Sequence, residues 1–250
     1  KSERIKIMKK ILITGGAGFV GSYLCNTFQA LGYEVVAVDD LSNGKESNIK
    51  PGVHLENIDL STNDIFTKLN EYKFNAVIHC AAQSSNALSF VDIKRDMDSN
   101  LVGFLNIIEL CRHNNVKGFI YASSSSVYGD NKKIPFSTDD QTDHPLALYG
   151  ATKKANELIA NSYSHLYGLN TAGLRYFTVY GPWGRPDMAM FLFTNKILRG
   201  VPIQVFNHGD MKRDFTYIDD IIAGTRLAID KNYKCEIFNL GNHRSEQLMD

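Results

Sequence analysis

Short apolar runs alternate with amphipathic stretches along most of the chain. Uninterrupted apolar runs of the fully buried type predict strands at Lys10–Thr14, Glu34–Asp39, Ala76–Ala81, Gly118–Ala122 and Asn170–Arg175. Helical periodicity predicts long helices between them, at Val20–Leu31, Asn100–His113 and Tyr149–Tyr167. Strands that alternate with helices predict an α/β fold, in which a doubly wound parallel sheet carries helices on both faces.

A Pro- and Gly-rich stretch at residues 181–186 interrupts this alternation. We therefore expect a first domain over residues 8–180 and a smaller second domain over residues 181–250, with residues 214–230 packing back onto the first. The second domain is predicted to contain helices at Met190–Arg199 and Asp219–Ala228 and a strand at Gln204–Phe206. Because the chain ends at Asp250, soon after a loop-like Gly-Asn pair, we expect this domain to be incomplete.

Composition narrows the functional classes. The 27 Lys and Arg residues balance 27 Asp and Glu residues, so no overall field indicates a nucleic-acid partner or an anionic membrane surface. No apolar run is long enough to cross a bilayer, and the charged segment Lys1–Lys10 lacks the apolar core of a signal peptide. The four cysteines fit no zinc or CxxC spacing, so we expect reduced thiols, no metal site and a cytoplasmic protein.

Three glycines with GxxGxxG spacing, Gly15, Gly18 and Gly21, lie between the first strand and the first helix. A side chain at these positions would block the approach of a dinucleotide pyrophosphate to the backbone. The helix that starts near Val20 directs its free N–H groups and its positive end at the phosphates. The motif indicates a dinucleotide, although a glycine-rich turn alone is weak evidence for one.

An acidic residue at the end of the second strand supports this interpretation. There Asp39 can accept hydrogen bonds from the hydroxyls of the adenosine ribose, and its charge would repel a 2′-phosphate. The sequence therefore favours NAD over NADP. Asp40 adds to this charge unless it only caps a turn. Asp59, which ends the apolar stretch Val53–Ile58, lies either near the adenine or in a turn.

A second motif places a phenol beside an ammonium group. Tyr149 and Lys153 are four residues apart and therefore share a helix face. A free phenol, with a pKa of about 10, is a poor base at neutral pH. A nearby ammonium and an oxidised nicotinamide both favour the phenolate and lower that pKa. The two motifs together predict a nicotinamide-dependent enzyme that moves a hydride at a carbinol carbon.

A run of serines follows the strand Gly118–Ala122, at the sheet edge where ligands bind in open α/β folds. The hydroxyl of Ser124 could bridge the substrate oxygen and Tyr149. Ser123, Ser125 and Ser126 compete for this role, and a serine run at a strand end is often only a loop.

Longer motifs carry a resemblance to a known family. They read ILITGGAGFVGSYL, HCAAQ, YASSSSVYGD, LYGATKKANE, LRYFTVYGPWGRPDMA and KRDFTYIDDI. From Lys9 to Asp250 the chain resembles the extended short-chain dehydrogenases/reductases, which have a Rossmann-type sheet, and specifically the NAD-dependent nucleotide-sugar 4-epimerases. The last three motifs are similar to those of the UDP-glucuronate 4-epimerase subgroup.

The resemblance implies that the first domain binds NAD and the second a UDP-sugar. Tyr149 would take the proton of the sugar 4-hydroxyl while the C4 hydride passes to NAD+, and the hydride would return to the other face of a 4-keto intermediate. The further cofactor contacts implied are Phe19, Val20, Asn43, Leu60, Ala81, Ala82, Asn100, Lys153, Tyr176 and Phe177. The substrate contacts implied are Ser125, Ser126, Thr178, Arg185, Gln204, Phe206 and Arg213.

Some of these residues have a plain structural alternative. Asn100 could equally be a helix cap. Arg185 has the planar fork that suits the carboxylate of a uronic acid, but it could also form a salt bridge on the domain surface. Arg213 matches the family arginine that holds the UDP diphosphate.

Departures from related enzymes separate the alternatives. The 4,6-dehydratases carry an Asp-Glu pair where this chain has Ser125 and Ser126, and UDP-glucuronate decarboxylases usually carry Glu at the second position. UDP-galactose 4-epimerases tend to have Asn in place of Thr178. The resemblance thus implies a UDP-glucuronate 4-epimerase, with a UDP-galactose or N-acetylhexosamine 4-epimerase as the alternative and a decarboxylase or dehydratase behind them.

A non-enzymatic NAD-binding regulator on the same fold is a further alternative. The intact set of Ser124, Tyr149 and Lys153 argues against it, since a sensor needs no base. By analogy with the family we expect a homodimer, paired through Asn100–His113 and Tyr149–Tyr167.

Overall fold

The computed structural model describes residues 9–249, except for the side chains of Asn86, Ala87 and Phe206. Its strands are β1 (Lys10–Thr14), β2 (Glu34–Asp39), β3 (His54–Asn57), β4 (Ala76–His79), β5 (Gly118–Ser124), β6 (Thr171–Tyr176), β7 (Thr178–Tyr180), β8 (Lys212–Tyr217), β9 (Cys235–Leu240) and β10 (Ser245–Gln247). Its helices are α1 (Phe19–Ala30), α2 (Asp64–Leu69), α3 (Asn86–Val91), α4 (Ile93–Met97), α5 (Gly103–His113), α6 (Leu148–Tyr167), α7 (Ala189–Leu198) and α8 (Ile218–Lys231).

Seven parallel strands form the main sheet, in the order β3-β2-β1-β4-β5-β6-β9. The strand order reverses between β1 and β4, which creates a crevice at the carboxyl edge where α/β sheets bind ligands. This arrangement confirms the predicted Rossmann-type doubly wound sheet. The five predicted strands are all present, with ends shifted by no more than a few residues.

Successive strand residues point to opposite faces of the sheet, and each face carries its own core. One core contains Leu12, Val77 and Phe119 under α2, α5 and α6. The other contains Ile13 and Ile120 under α1 and α8. Residues 218–231, although distant in sequence, thus pack on the main sheet beside α1.

Helix α5 begins later than the predicted Asn100–His113. A π-helical segment, Asp98–Val102, joins α4 to α5. Single π-helical turns occur often at functional sites. Here the segment contains the buried residue Asn100.

The outer region, residues 177–217 and 241–249, holds a three-stranded sheet in the order β10-β8-β7, together with α7. The predicted strand at Gln204–Phe206 is wrong: Gln204 lies in irregular chain, and a 3₁₀ turn covers Phe206–Gly209. Asn207 and His208 have positive φ angles, which strand backbone does not allow. The two predicted helices of this part of the chain are confirmed by α7 and α8.

Within residues 9–249, no helix combines the length and apolar character that a bilayer span requires. The cysteines Cys25, Cys80, Cys111 and Cys235 are free thiols, and the first and third of them are buried.

Candidate active site

The glycine-rich turn between β1 and α1 forms a close-fitting cradle. Gly15 has φ +67°, and a Cβ there would lie 2.7 Å from the backbone nitrogen of Ala81. A Cβ at Gly21 would overlap the carbonyl oxygen of Gly15. Gly18 is the extended residue before α1, and a Cβ there would meet only the Gly15 carbonyl oxygen, at 3.2 Å. The glycines therefore let the turn close on itself while leaving the helix N-terminus open to a phosphate.

Two cofactor candidates form the first turn of α1. Phe19 and Val20 are half-buried and pack against the α1 side of the sheet. Phe19 also stacks edge-on against Tyr23, with ring centroids 5.9 Å apart. Neither residue is acidic, so no carboxylate in the first turn opposes an anion at the helix end.

Asp39 ends β2 beside this cradle and is 8% exposed. Its two carboxylate oxygens accept hydrogen bonds from the backbone N–H groups of Ala17, at 3.0 Å, and Leu41, at 2.9 Å. Burial raises the pKa of the Asp39 carboxyl, while these N–H groups lower it. The carboxylate is thus fixed at the edge of the turn, where it can accept ribose hydroxyls.

The neighbouring acidic candidates are turn residues in this structure. Asp40 accepts hydrogen bonds from the backbone N–H and the hydroxyl of Ser42, and Asp59 does the same with Ser61. Asn43 is exposed in the loop that follows Asp40. Leu60 is buried in the core under α5. Asp59 and Leu60 nevertheless lie near Asp39, because the N–H of Ile58 donates to the Asp39 carbonyl.

The loop after β4 forms the opposite wall of the cradle. The N–H of Ala81 donates to the Thr14 hydroxyl at 3.3 Å, and Ala82 is half-buried beside it. Asn100 is 1% exposed and clamps the next residue: it accepts from the N–H of Gln83 at 2.8 Å and donates to the Gln83 carbonyl at 3.0 Å. Asn100 also approaches Thr152 on α6 at 3.3 Å. Asn100 therefore connects the loop after β4 to α6, and it does not act as a helix cap.

Helix α6 brings the phenol and the ammonium to the carboxyl end of β5. The Lys153 ammonium nitrogen lies 5.7 Å from the centroid of the Tyr149 ring and donates to the carbonyl of Ala122 at 2.9 Å. Burial lowers the pKa of Lys153 to about 8, against the opposing effects of Cys80 and Asp96. Burial raises the pKa of the half-buried Tyr149, while a hydrogen bond from Ser124 and the positive charge of Arg185 lower it.

Two of the four serines end β5 and two lie in the turn that follows, and they differ in their hydrogen-bond partners. Ser123 is 2% exposed and donates to Glu157 at 2.6 Å, which takes its hydroxyl away from Tyr149. Ser124 contacts Tyr149, and its hydroxyl also donates to that of Ser126 at 3.1 Å. Ser125 and Ser126 are half-buried in the following 3₁₀ turn. The arrangement favours Ser124 as the bridge to a substrate oxygen.

Tyr176 and Phe177 follow β6 along the same edge. The Tyr176 hydroxyl bonds that of Thr225 on α8 at 2.9 Å, so its polar end points away from the cradle. The Phe177 ring lies 6.3 Å from that of Phe136 and faces Gly241. Any contact these two side chains make with a cofactor is therefore through ring carbon atoms.

Two substrate candidates, Thr178 and Arg185, belong to the outer region. Thr178 starts β7 and is half-buried. Arg185 donates through Nη1 to the Ser84 carbonyl at 2.9 Å, and its Nε donates to Asp187 at 2.9 Å. A second Asp187 bond to Nη2 completes a bidentate pair. The positive charge of Arg185 lowers the pKa of Tyr149, and the Arg185 fork already holds a carboxylate of this chain.

Among the described residues, no contact brings Gln204 or Arg213 to Tyr149. Gln204 is exposed in irregular chain, and Arg213 is exposed on β8, where it donates to the Lys212 carbonyl at 3.0 Å. The side chain of Phe206 lies outside the described residues. Arg213 and Gln204 both belong to the outer region, but within the described residues they form no hydrogen bond with each other.

Sequence reasoning missed a buried ion pair behind the serines. Arg175 donates to both carboxylate oxygens of Glu157 at 2.9 Å and to the Tyr128 hydroxyl at 2.8 Å. Tyr128 in turn donates to Asn239 at 2.7 Å. The network joins α6 to β6 and β9 and fixes the turn that carries Ser124. Its signal was present in α6, where Glu157 follows Lys153 by four residues on the buried face.

Sequence reasoning also missed two buried polar residues, His79 and Asp96. His79 is buried, bonds the Thr14 hydroxyl at 2.9 Å, and has a pKa lowered by burial to about 3. Asp96 is fully buried on α4 and accepts from the side chain of Gln83 at 2.6 Å. Periodicity gave little warning of Asp96, because α4 has only five residues.

Comparisons with known proteins agree with this geometry. The family model described as NAD dependent epimerase/dehydratase family matches residues 11–241. The chain is 41% identical to UDP-glucuronate 4-epimerase 4 of Arabidopsis thaliana, over 93% of this chain and 59% of that protein.

Two solved structures have the same fold. UDP-glucose 4-epimerase of Thermotoga maritima, solved with UDP-glucose, superposes with a TM-score of 0.90 at 32% identity, over 96% of this chain and 79% of that one. UDP-glucuronic acid 4-epimerase of Bacillus cereus, solved with UDP-glucuronic acid and NAD, gives 0.88 at 32% identity, over 96% and 80%.

Proposed function

The chain belongs to the NAD-dependent epimerase/dehydratase family, and we propose that it inverts C4 of a UDP-uronic acid, interconverting UDP-glucuronate and UDP-galacturonate. It is an NAD-dependent epimerase by family and by its relatives. The uronic acid is the part proposed. Arg185 carries it, because its guanidinium reaches the Ser84 carbonyl in the loop after β4 and its positive charge lowers the pKa of Tyr149.

The glycine turn fits the cofactor. Side chains at Gly15 or Gly21 would collide with backbone, so the turn can be closed only by glycine, and Asp39 supplies the acceptor for the ribose. NAD, when held in this turn, would supply a reversible hydride acceptor for C4 of the sugar and would not be consumed. We propose that Phe19, Val20, Ala81 and Ala82 contribute apolar contact around it.

We propose that Tyr149 takes the proton of the sugar 4-hydroxyl at its phenolic oxygen and later gives it back. Lys153, held by the Ala122 carbonyl, places a positive charge near the ring and favours the phenolate. Ser124 lowers the pKa of Tyr149, and its hydroxyl donates to Ser126 in this structure. We propose that this hydroxyl turns on substrate binding to bridge Tyr149 and the sugar oxygen. The three groups together hold and move one proton at C4.

A uronic acid adds a carboxylate next to the reacting carbon. Its 4-keto form is a β-keto acid, from which carbon dioxide can be lost, so the site must hold the carboxylate in an unproductive orientation. Arg185 has the fork geometry for this, and Thr178 lies on the same side of the sheet edge. Because Asp187 occupies the fork, we propose that the sugar carboxylate exchanges with Asp187 on binding.

Other substrates and other reactions would use the groups around Arg185 and Ser124 differently. A neutral UDP-hexose or N-acetylhexosamine would leave the Arg185–Asp187 pair intact, with the same proton chemistry at Tyr149. A dehydratase or decarboxylase would place an acid near C4, but the residues beside Ser124 are Ser125 and Ser126. We also propose Gln204 and Arg213 as UDP contacts, together with a cytoplasmic location.

A homodimer is a further proposal, through α5 and α6. Leu105, Leu158 and Leu166 on these helices are exposed apolar side chains, 42%, 58% and 66% accessible. Covering them with a second copy would remove apolar surface from water. Sedimentation equilibrium of the wild-type protein and of Leu158→Glu tests it: a wild-type monomer would contradict the proposal.

The test of the substrate is incubation with UDP-glucuronate without added reductant, followed by anion-exchange chromatography and mass spectrometry. We expect an isomer of unchanged mass that co-elutes with UDP-galacturonate. Loss of carbon dioxide would identify a decarboxylase. No change with UDP-glucuronate, together with turnover of UDP-galactose or an N-acetylhexosamine nucleotide, would keep the epimerase and discard the uronic acid.

A further inference from the structure

A tight turn in the outer region directly precedes Arg185. Residues 181–184 read Gly-Pro-Trp-Gly, and the N–H of Gly184 donates to the Gly181 carbonyl at 3.1 Å, which closes the turn. Proline is common at the second position of such turns, and a third position with positive φ is normally filled by glycine or asparagine. Here the third residue is Trp183, with φ +63°. A bulky side chain is unfavourable in this backbone region, so contacts in the fold must hold it there.

Tyr23 on α1 provides such contacts. Its hydroxyl donates to the Pro182 carbonyl at 3.2 Å. Its ring lies against the Trp183 indole, with ring centroids 5.4 Å apart and planes tilted by 57°. Phe19, one helical turn earlier, meets the Tyr23 ring edge-on at 5.9 Å. Tyr23 therefore contacts both central residues of the turn, one through its hydroxyl and the other through its ring.

The two ends of the turn pack against other helices. A Cβ at Gly181 would lie 2.7 Å from the side chain of Ile218 on α8, and a Cβ at Gly184 would lie 2.8 Å from the ring of Phe191 on α7. The Trp183 indole between these ends is 51% exposed, so burial in a core does not hold it. The seating of the tip of the turn therefore depends on its contact with α1.

Arg185 follows the turn and reaches the loop after β4. Its Nη1 donates to the Ser84 carbonyl at 2.9 Å. That loop is fixed in turn, because Asn100 bonds both the N–H and the carbonyl of Gln83. The segment 182–185 thus bridges α1 and the loop after β4. It can span at most about 10 Å when extended, so a displacement of its α1 end must also move the arginine.

We propose that Tyr23 and Trp183 are positioning residues for sugar recognition: by seating the turn on α1, they hold Arg185 where its guanidinium can take the carboxylate of a uronic acid. This role deepens the proposed function and rests on it, because it requires Arg185 to bind the sugar. Among the described residues, neither side chain contacts Tyr149 or Lys153. Their loss should therefore weaken substrate binding and leave proton transfer in place.

The first experiment is steady-state kinetics of the NAD-loaded protein and its variants with UDP-glucuronate. Tyr23→Leu removes the hydroxyl and the ring, and KM should rise by about 3–10-fold, the range of one hydrogen bond and one aromatic contact. The value of kcat should change little, because the carboxylate is held alike in the ground state and the transition state. Tyr23→Phe keeps the ring and should raise KM less.

Trp183→Gly separates the ring contact from backbone strain. Glycine suits the positive φ at this position better than tryptophan does. A higher KM in Trp183→Gly would therefore come from the lost indole, and Trp183→Phe, which restores an aromatic ring, should recover part of the loss. A KM at or below the wild-type value in Trp183→Gly would overturn the role of the indole.

A double-mutant cycle tests whether the effect passes through Arg185. In an Arg185→Ala background, Tyr23→Leu should raise KM no further, since the group that it positions is gone. Tyr33→Leu is the matched control, because Tyr33 is half-buried against Phe28, with ring centroids 5.1 Å apart, and has no contact with the turn among the described residues. The control should leave KM unchanged, and every variant should keep its NAD. Equal effects of Tyr23→Leu and Tyr33→Leu, or additive effects in the cycle, would overturn the proposal.

A second readout needs no turnover. Trp183 is the single tryptophan of the chain, so its fluorescence reports on the turn directly. Acrylamide should quench it more efficiently in Tyr23→Leu than in the wild type or in Tyr33→Leu. Unchanged quenching in Tyr23→Leu would show that Tyr23 does not seat the indole. If the wild type turns over only neutral UDP-sugars, the proposed function is wrong and the carboxylate role is lost with it, while the quenching still decides whether Tyr23 seats the turn.

Discussion

The main sheet and the outer region, which comprises residues 177–217 and 241–249, use similar sequence patterns to different effect. Helix α1 in the first buries Leu24 and Phe28 completely or nearly so, at 0% and 1% exposure. Helix α7 in the second is also rich in apolar residues, yet none of them is buried, and Leu192 is 43% exposed. Periodicity predicts that a helix forms, but it does not report whether a neighbour covers its apolar face.

The same contrast separates the two halves of the active site. The cofactor turn is held to β2 by the bond from the Gly16 N–H to the Val38 carbonyl, and Lys153 is held to β5 by its bond to the Ala122 carbonyl. The outer region presents Arg213 and Gln204 on exposed chain. We therefore expect the main sheet to preorganise the proton transfer proposed for Tyr149, and the choice of sugar to depend on the outer region.

The largest effect should come from Gly21→Ala in the main sheet region. A Cβ there overlaps the Gly15 carbonyl oxygen, so the turn must open. We expect loss of bound NAD and of most activity, measured as NAD released from the purified protein. Gly200→Ala is the control in the outer region: Gly200 has a positive φ, +65°, but nothing lies within 4 Å of an added Cβ, so the substitution should cost only about 1 kcal/mol. Equal losses of bound NAD in the two variants would show that the two regions do not differ in this respect.

Tyr149→Phe should lower kcat by about 10²–10⁴-fold while NAD stays bound, because only the proton acceptor is removed. The measurement is turnover of UDP-glucuronate together with NAD content. Tyr167→Phe, at an exposed position of the same helix, is the control and should keep full activity. A Tyr149→Phe enzyme with normal turnover would exclude Tyr149 as the base.

Truncation of matched leucines compares the packing of the two regions directly. Leu24→Ala should lower the free energy of unfolding by about 3 kcal/mol, since it leaves a cavity under α1. Leu192→Ala should change it by less than about 1 kcal/mol, because the side chain is already in water. Urea unfolding measures both. A large loss at Leu192 would show that α7 has a cover that the described residues do not provide.

The smallest of these effects should appear at Arg185. Arg185→Ala should reduce kcat/KM for UDP-glucuronate by about 10–100-fold, the range of a charge-assisted hydrogen-bond pair, and change that for a neutral UDP-hexose much less. Asp187→Asn tests the exchange: with the competing charge removed, the KM for the uronate should fall. Equal losses for both sugars in Arg185→Ala would remove its carboxylate role and leave substrate choice to other residues.

Particular residues show where sequence reasoning succeeded and where it failed. Strand β2 was predicted to the residue because EVVAVD is an apolar run that both faces of the sheet bury. Strand β9 was missed, because at the sheet edge it pairs only with β6 and carries polar residues among half-buried ones. The strand expected at Gln204–Phe206 failed because the following Asn207 and His208 turn the chain out of extended conformation.

The candidate site divides in the same way. The GxxGxxG spacing, the i and i+4 relation of Tyr149 and Lys153, and the acid at the end of β2 are local, so the sequence by itself predicted the cofactor turn, the candidate catalytic pair and the family. Which serine lies against Tyr149, that Arg185 contacts Ser84, and that Asp96 is buried against Gln83 were decided only by the tertiary structure. These contacts join segments far apart in the chain, and residue spacing carries no information about which distant side chains the fold brings together.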